Sequence, residues 1–283
     1  MRLDNGRESS NIEDRRGGGP RLAGRGSLGI GAVVLALVAM YFGVDPSVVL
    51  DLASGPGQSV QESSGPPPAD DKQALFVSKV LADTEDTWSQ LFTASGSRYT
   101  EPKLVLYSGA TNTACGTGQA AMGPFYCPGD ARVYLDMSFF EEMQRRLNAP
   151  GDFARAYVIA HEIGHHVQNL LGTADKVNRM QQRPGQVQAN QLSVRMELQA
   201  DCYAGIWAHH ANRARQILEP GDVEEALNAA SAIGDDRLQK EAQGYVVPDA
   251  FTHGTSAQRV RWFKRGLETG DPGKCDTFSA ASL

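Results

Sequence analysis

Hydrophobic and polar positions divide the chain into four unequal stretches. Residues 1–27 are polar and rich in Arg and Gly. Residues 28–44, LGIGAVVLALVAMYFGV, carry no charge. Residues 45–72 return to Pro, Gly, Ser and acids, a composition that predicts a flexible linker. From 73 to 283 apolar positions recur at the spacings of a folded domain. A helical stripe covers 74–92. KLVLY at 103–107 and RVYLD at 132–136 predict short strands, with GPFYCPGD as a turn before the second. Ser138 with Glu141 three residues on predicts a helix over 138–147, ended by Asn148-Ala149-Pro150-Gly151. Asp152 is expected to cap a helix that runs to about residue 171 and stops at Gly172. The polar stretch 173–187, with Pro184 and Gly185, predicts a loop. A long helix over about 188–218 ends at Pro220-Gly221, another over 222–233 ends at Gly234, and a last one covers 255–265. This order predicts an α+β domain, mainly helical with a small β-sheet.

The charge-free run is near the lower limit for a helix crossing a hydrocarbon core of ~30 Å. Arg15, Arg16, Arg21 and Arg25 precede it, whereas Asp45, Asp51, Glu62, Asp70 and Asp71 follow with no base before Lys72. Because positive flanks stay in the cytoplasm, the expectation is one N-terminal transmembrane helix. Residues 1–27 would be cytoplasmic and the domain at 73–283 extracytoplasmic, periplasmic or extracellular. A cleaved signal peptide and a buried core helix are the alternatives. The polar stretch before the run is long for a signal peptide, and only Leu52-Ala53-Ser54 offers a weak cleavage site. A formal net charge of −6 without a dense basic patch argues against nucleic-acid binding.

The chemistry centres on His161-Glu162-Ile163-Gly164-His165. Helical residues four apart lie one turn apart on one face, so His161 and His165 can reach one tetrahedral Zn²⁺ while Glu162 stands beside them as a general base. Two histidines on a surface helix would be the bland alternative. His166, turned about 100° from His165, reads as a residue that packs or supports a ligand, not as a ligand itself. The extended pattern HExxHxxGxxH fails, because Gln168 replaces Gly and Leu171 replaces His. The third ligand is expected from Glu197, which opens an apolar helical stretch. Asp201, one turn further on, is placed to accept a hydrogen bond from a ligand imidazole. A solvated acidic face is the alternative. His209 and His210 lie roughly 18 Å further along that helix, too far to share the metal. His253, Arg259 and Tyr245 are candidate donors to the oxyanion; His253 could equally cap the following helix.

His161-Glu162-x-x-His165 followed by Glu197-x-x-x-Asp201 resembles the gluzincin arrangement. The chain further resembles the bacterial neutral zinc metallopeptidases of the YpfJ-like family. That resemblance rests on RESSNIEDRRG at 7–17, the apolar segment, GPFYCPGDARVYLD, AHEIGHHVQNLLG, ELQADCYAGIWAHH, ALNAASAIGDDRLQ and QGYVVPDAFTHGTSAQRVRWFKRG. It implies a single-pass membrane protein with a zincin-like catalytic domain acting on a peptide or protein. In related zincins an edge strand binds substrate backbone; Val133-Tyr134-Leu135 could be that edge or a plain core strand. A membrane-anchored scaffold with a structural zinc, and a zinc amidase of the cell wall, are the competing readings. Four cysteines permit three pairings. Cys115 and Cys127 flank a short Gly-rich stretch, and Cys202 and Cys275 would tie the C-terminal tail to the helix of Asp201. These two bridges are expected if the domain stands in an oxidising compartment.

Overall fold

The computed structural model describes residues 1–16, 65–119, 123–182 and 185–283. Its sheet has four strands: β1 (Ile12–Asp14), β2 (Lys103–Tyr107), β6 (Arg132–Asp136) and β5 (Phe125–Cys127), in that spatial order. The first three run parallel and β5 runs antiparallel to β6. A separate hairpin joins β3 (Ala110–Thr113) to β4 (Gly116–Gln119). Eight α-helices complete the described fold: α1 (Lys72–Ala94), α2 (Ser138–Arg145), α3 (Asp152–Leu170), α4 (Thr173–Gln181), α5 (Gln186–Arg215), α6 (Asp222–Ala232), α7 (Asp235–Gln243) and α8 (Ser256–Thr269). The domain is thus α+β and mainly helical.

Packing explains where the sequence reading departs from the fold. α4 was expected as a loop; only Val177 of its nine residues is buried, too few to write a visible stripe. β5 was expected as a turn, because Pro124 and Pro128 bracket only three strand residues. β6 was a candidate substrate-binding edge, but it lies between β2 and β5 and its backbone is engaged on both sides. Asp152 does not cap α3: Gly151 is the cap residue, and Asp152 pairs with the amino group of Met1 at 2.8 Å.

The core forms where α3, α5 and α8 cross. Trp207 of α5 stacks on Phe153 of α3, and Trp88 of α1 meets Tyr203 edge-on. α5 and α8 approach backbone to backbone at Gly205 and Gly266, where any Cβ would overlap the Phe263 or Cys202 carbonyl. The cysteines pair Cys115–Cys127 and Cys202–Cys275, the connectivity expected. The first bridge ties the hairpin to β5 and the second ties the tail to α5.

The N-terminal stretch is part of this domain. Buried Glu85 of α1 accepts hydrogen bonds from Arg7, Ser9 and Asn11 at 2.7, 2.6 and 2.8 Å. Arg16 pairs with Asp14 and with Asp71, the N-cap of α1. β1 pairs with β2, and Asp14 N donates to Gly65 O at 2.7 Å. The chain on either side of the expected anchor therefore meets at one sheet edge. That overturns the single-pass placement, which would hold residues 1–27 and the domain on opposite sides of a core ~30 Å thick. The run at 28–44 lies outside the described residues. Among the described residues no helix is long and apolar enough to cross a membrane.

Glu85→Ala should remove three hydrogen bonds from the N-terminal stretch, those of Arg7, Ser9 and Asn11. The expected loss is about 2–3 kcal/mol, in the range of hydrogen bonds to a charged group, with residues 1–16 becoming cleavable in limited proteolysis while α3 and α5 stay protected.

Candidate metal centre

α3 carries both histidines of the HExxH motif on one face, their rings 4.8 Å apart and edge to face. α5 crosses that face and presents Glu197 to both. Its Oε2 lies 3.1 Å from His161 Nε2 and its Oε1 3.3 Å from His165 Nε2. Ligand atoms of the three residues lie within 4.8 Å of one another. Gly164 permits this approach. A Cβ there would fall 2.9 Å from the Ala200 carbonyl oxygen and 3.0 Å from Ala200 Cα, so any larger residue would push α5 away.

Each imidazole is held from behind. His161 Nδ1 lies 2.9 Å from Asp201 Oδ1, and His165 Nδ1 lies 2.8 Å from Gln168 Oε1. Gln168 is in turn fixed, donating to the Met196 carbonyl and to Gln199 Oε1. Since a carboxylate or amide oxygen accepts, both rings carry their proton on Nδ1 and turn Nε2 toward Glu197. Asp201 has no exposed surface. It also accepts from the Tyr157 hydroxyl, and Arg259 reaches both of its oxygens at 2.9 Å. Arg259, itself buried, balances the charge that Asp201 brings inside.

Burial opposes charge on His161, but Asp201 and Glu197 outweigh it and raise the imidazole above its ordinary pKa. Burial opposes charge on His165 as well, and Glu197 outweighs it. Against its own burial, Glu197 is held well below the usual carboxylate range by His165 and His161. The carboxylates of Glu197 and Asp201 therefore favour a positive charge between the three ligand atoms. Two imidazole nitrogens and one carboxylate converging there suit tetrahedral Zn²⁺ with one position to spare. Binding the ion would displace any proton on the two Nε2 atoms and leave those on Nδ1 in place. Burial also raises the carboxyl of Glu162, which lines the same cleft.

The cleft encloses about 640 Å³. His161, Glu162, His165, Glu197 and His253 share its lining with Pro124, Phe125 and Tyr126 at the β5 edge. Phe139, Leu147, Val158, Ile233 and Leu238 are apolar members of the same lining. His253 is half exposed and held by Asp235: Oδ1 lies 3.1 Å from Nδ1, while Oδ2 accepts the backbone N–H groups of Thr252, His253 and Gly254. The hydrogen bond to Asp235 raises the pKa of His253. Tyr245 is 62 % exposed and does not line the cleft. Arg259 reaches the lining, with its Nε and Nη2 engaged by Asp201 and Tyr157. His209 and His210 bond the carbonyls of Leu267 and Gly270 at the end of α8, away from the ligands.

Residues 1–278 match the family model described as "Putative neutral zinc metallopeptidase". The chain belongs to this family. It is 54% identical over 287 residues to the uncharacterized protein YpfJ of Escherichia coli (strain K12), an alignment covering 98% of this chain and 99% of that one. An uncharacterized protein of Mycobacterium tuberculosis (strain H37Rv) is 42% identical over 265 residues, covering 87% and 86%. No solved structure matches the chain. The family description points to zinc and to peptide hydrolysis, and the relatives' names add no substrate.

Sequence reasoning did not find Gly164, Gln168 or Asp235 as parts of this site, nor Arg259 as the partner of Asp201. Gln168 was visible only as a departure from a longer motif. Asp235 lies 18 residues from His253, and no periodicity links a helix start to a distant loop.

Gly164→Ala replaces no ligand but should shift α5, and Glu197 with it, and lower zinc affinity roughly 10–100-fold, the effect of disturbing the support of a ligand set. Competition with a chromophoric chelator measures this; unchanged affinity would mean that α3 and α5 do not need their close approach.

Proposed function

We propose that this protein is a zinc-dependent peptidase in which Glu162 is the general base. The observation that carries this reading is a three-ligand set opening onto a cleft with an edge strand. A structural zinc site closes with a fourth protein ligand, whereas the group here has three members among the described residues. The closed site required by the scaffold reading therefore lacks a ligand, and the edge strand favours peptides over glycan-linked amides.

Zn²⁺ held by His161, His165 and Glu197 would supply Lewis-acid polarisation and a water acidic enough to ionise near neutral pH. Glu162 takes a proton from the attacking water and returns it to the leaving amine. Its burial keeps the carboxyl above its ordinary pKa, suited to both tasks. His253 faces the cleft with Nδ1–H engaged by Asp235, so that in its imidazolium form Nε2–H is a donor to the oxyanion. Among the described residues β5 has a strand on one side only, so its other edge is offered to an extended peptide, the role that β6 cannot fill.

Glu162→Gln should keep about one Zn²⁺ per chain and lose roughly 10²–10⁴-fold in peptide cleavage, the usual contribution of a general base. Metal analysis beside cleavage of a peptide library reads both, and unchanged turnover would sink the mechanism. A second test uses pH. If protonated His253 assists, activity is present below its pKa and lost as pH rises through it. Asp235 raises that pKa, so Asp235→Asn should move the alkaline limb of kcat/KM to lower pH. A limb that stays in place would remove His253 from the reaction.

A further inference from the structure

β5 is an edge strand of three residues, and its position decides how far a strand-bound peptide lies from the metal ligands. Side chains alternate along a strand. Phe125 stacks on Tyr134 with ring centroids 5.0 Å apart, and Cys127 is bridged to Cys115. These contacts hold β5 to the sheet and the hairpin. Tyr126, pointing the other way, meets α3. Its hydroxyl lies 3.0 Å from His166 Nδ1 and 3.0 Å from Asn169 Nδ2. Among the described residues, both hydrogen bonds from a β5 side chain to α3 end on this one oxygen.

The direction of each bond is determined. His166 Nε2 lies 2.6 Å from the Thr100 carbonyl, so Nε2–H donates there. In a neutral ring Nδ1 must then accept, which makes the Tyr126 hydroxyl the donor to it. Asn169 Nδ2–H donates to the hydroxyl oxygen, completing the chain. The ring of His166 is buried and lies between those of Tyr99 and Tyr126 at centroid distances of 5.6 and 5.3 Å. His166 directly follows His165. One turn of α3 therefore offers a ligand on one face and a strand tether on the next.

We propose that Tyr126, His166 and Asn169 form a clamp that sets the spacing between the edge strand and the metal ligands, making them positioning residues for an extended peptide. The clamp deepens the peptidase reading and rests on it. It works by geometry alone: β5 is short, Pro124 and Pro128 bracket it, and its few backbone bonds to β6 do not specify its distance from α3. A displacement of about 1 Å in a bound peptide can cost on the order of 10²-fold in rate.

The test uses the full chain loaded with zinc, with Tyr126→Phe, which removes one oxygen, and Asn169→Ala as the second variant. Two readouts separate the questions. Hydrogen exchange at residues 125–127, measured beside zinc stoichiometry, needs no substrate. Both variants should exchange faster there with zinc unchanged, and unaltered exchange would overturn the clamp. Cleavage is then compared between octapeptides long enough to pair with β5 and a short chromogenic amide. For the octapeptides kcat should fall roughly 10–100-fold, with KM and turnover of the short amide within about threefold. An equal loss on both substrates, or loss of zinc, would show a merely structural role and overturn the positioning. If wild-type protein cleaves neither substrate, the peptidase reading fails and the positioning role falls with it, while the exchange result still decides whether the hydroxyl holds the strand.

Discussion

The site depends on one buried carboxylate. Asp201 has no exposed surface, and an isolated charge there would be prohibitively costly. It is tolerated because two helices deliver partners to α5, which carries it: α3 through Tyr157 and His161, and α8 through Arg259. Each partner is also needed elsewhere. The bond to His161 fixes the tautomer that turns Nε2 to the metal position, and the guanidinium keeps the carboxylate ionised. Withdrawing any of the three helices would strand a buried charge, so the metal position and the helical core are held by the same interaction.

That interaction requires helices closer than ordinary side chains allow. Gly164 lets α3 lie against Ala200, and Gly205 and Gly266 let α5 and α8 touch along their backbones. The Cys202–Cys275 bridge leaves α5 one residue after Asp201, and Gln199 donates to the Cys275 carbonyl. A loop closed over 73 residues restricts the unfolded chain by about 4 kcal/mol in the chain-entropy model. The rigid part of the cleft is thus the α3–α5–α8 crossing. β5 and the loop of His253 are placed against it by side-chain bonds from Tyr126 and Asp235.

Much of this was legible in local pattern. α3 and α5 lie within two or three residues of the ends read from sequence, because Gly172, Pro184-Gly185 and Pro220-Gly221 punctuate the chain beside them. KLVLY and RVYLD matched β2 and β6 residue for residue. β1 escaped notice because it is three polar-flanked residues long and its partner β2 lies about ninety residues away. The four arginines before the apolar run read as a topological signal. Yet Arg16 is engaged by Asp14 and Asp71, and Arg15 by Glu13. A charge count along the chain cannot distinguish a residue that faces lipid headgroups from one that closes an ion pair within the fold.

The sequence by itself determined the ligand types and their helical spacing. One turn of α-helix separates residues i and i+4 whatever surrounds them, so His161 with His165, and Glu197 with Asp201, had to share faces. It also determined the absence of a side chain at Gly164, Gly205 and Gly266. The tertiary structure decided what those faces meet. Bringing Glu197 to the two imidazoles, Arg259 to Asp201, Asp235 to His253 and Tyr126 to His166 joins residues from 18 to 58 positions apart. Such pairings arise from the crossing of packed helices, and they leave no periodic trace in the chain because each partner's own periodicity is set by the element that carries it.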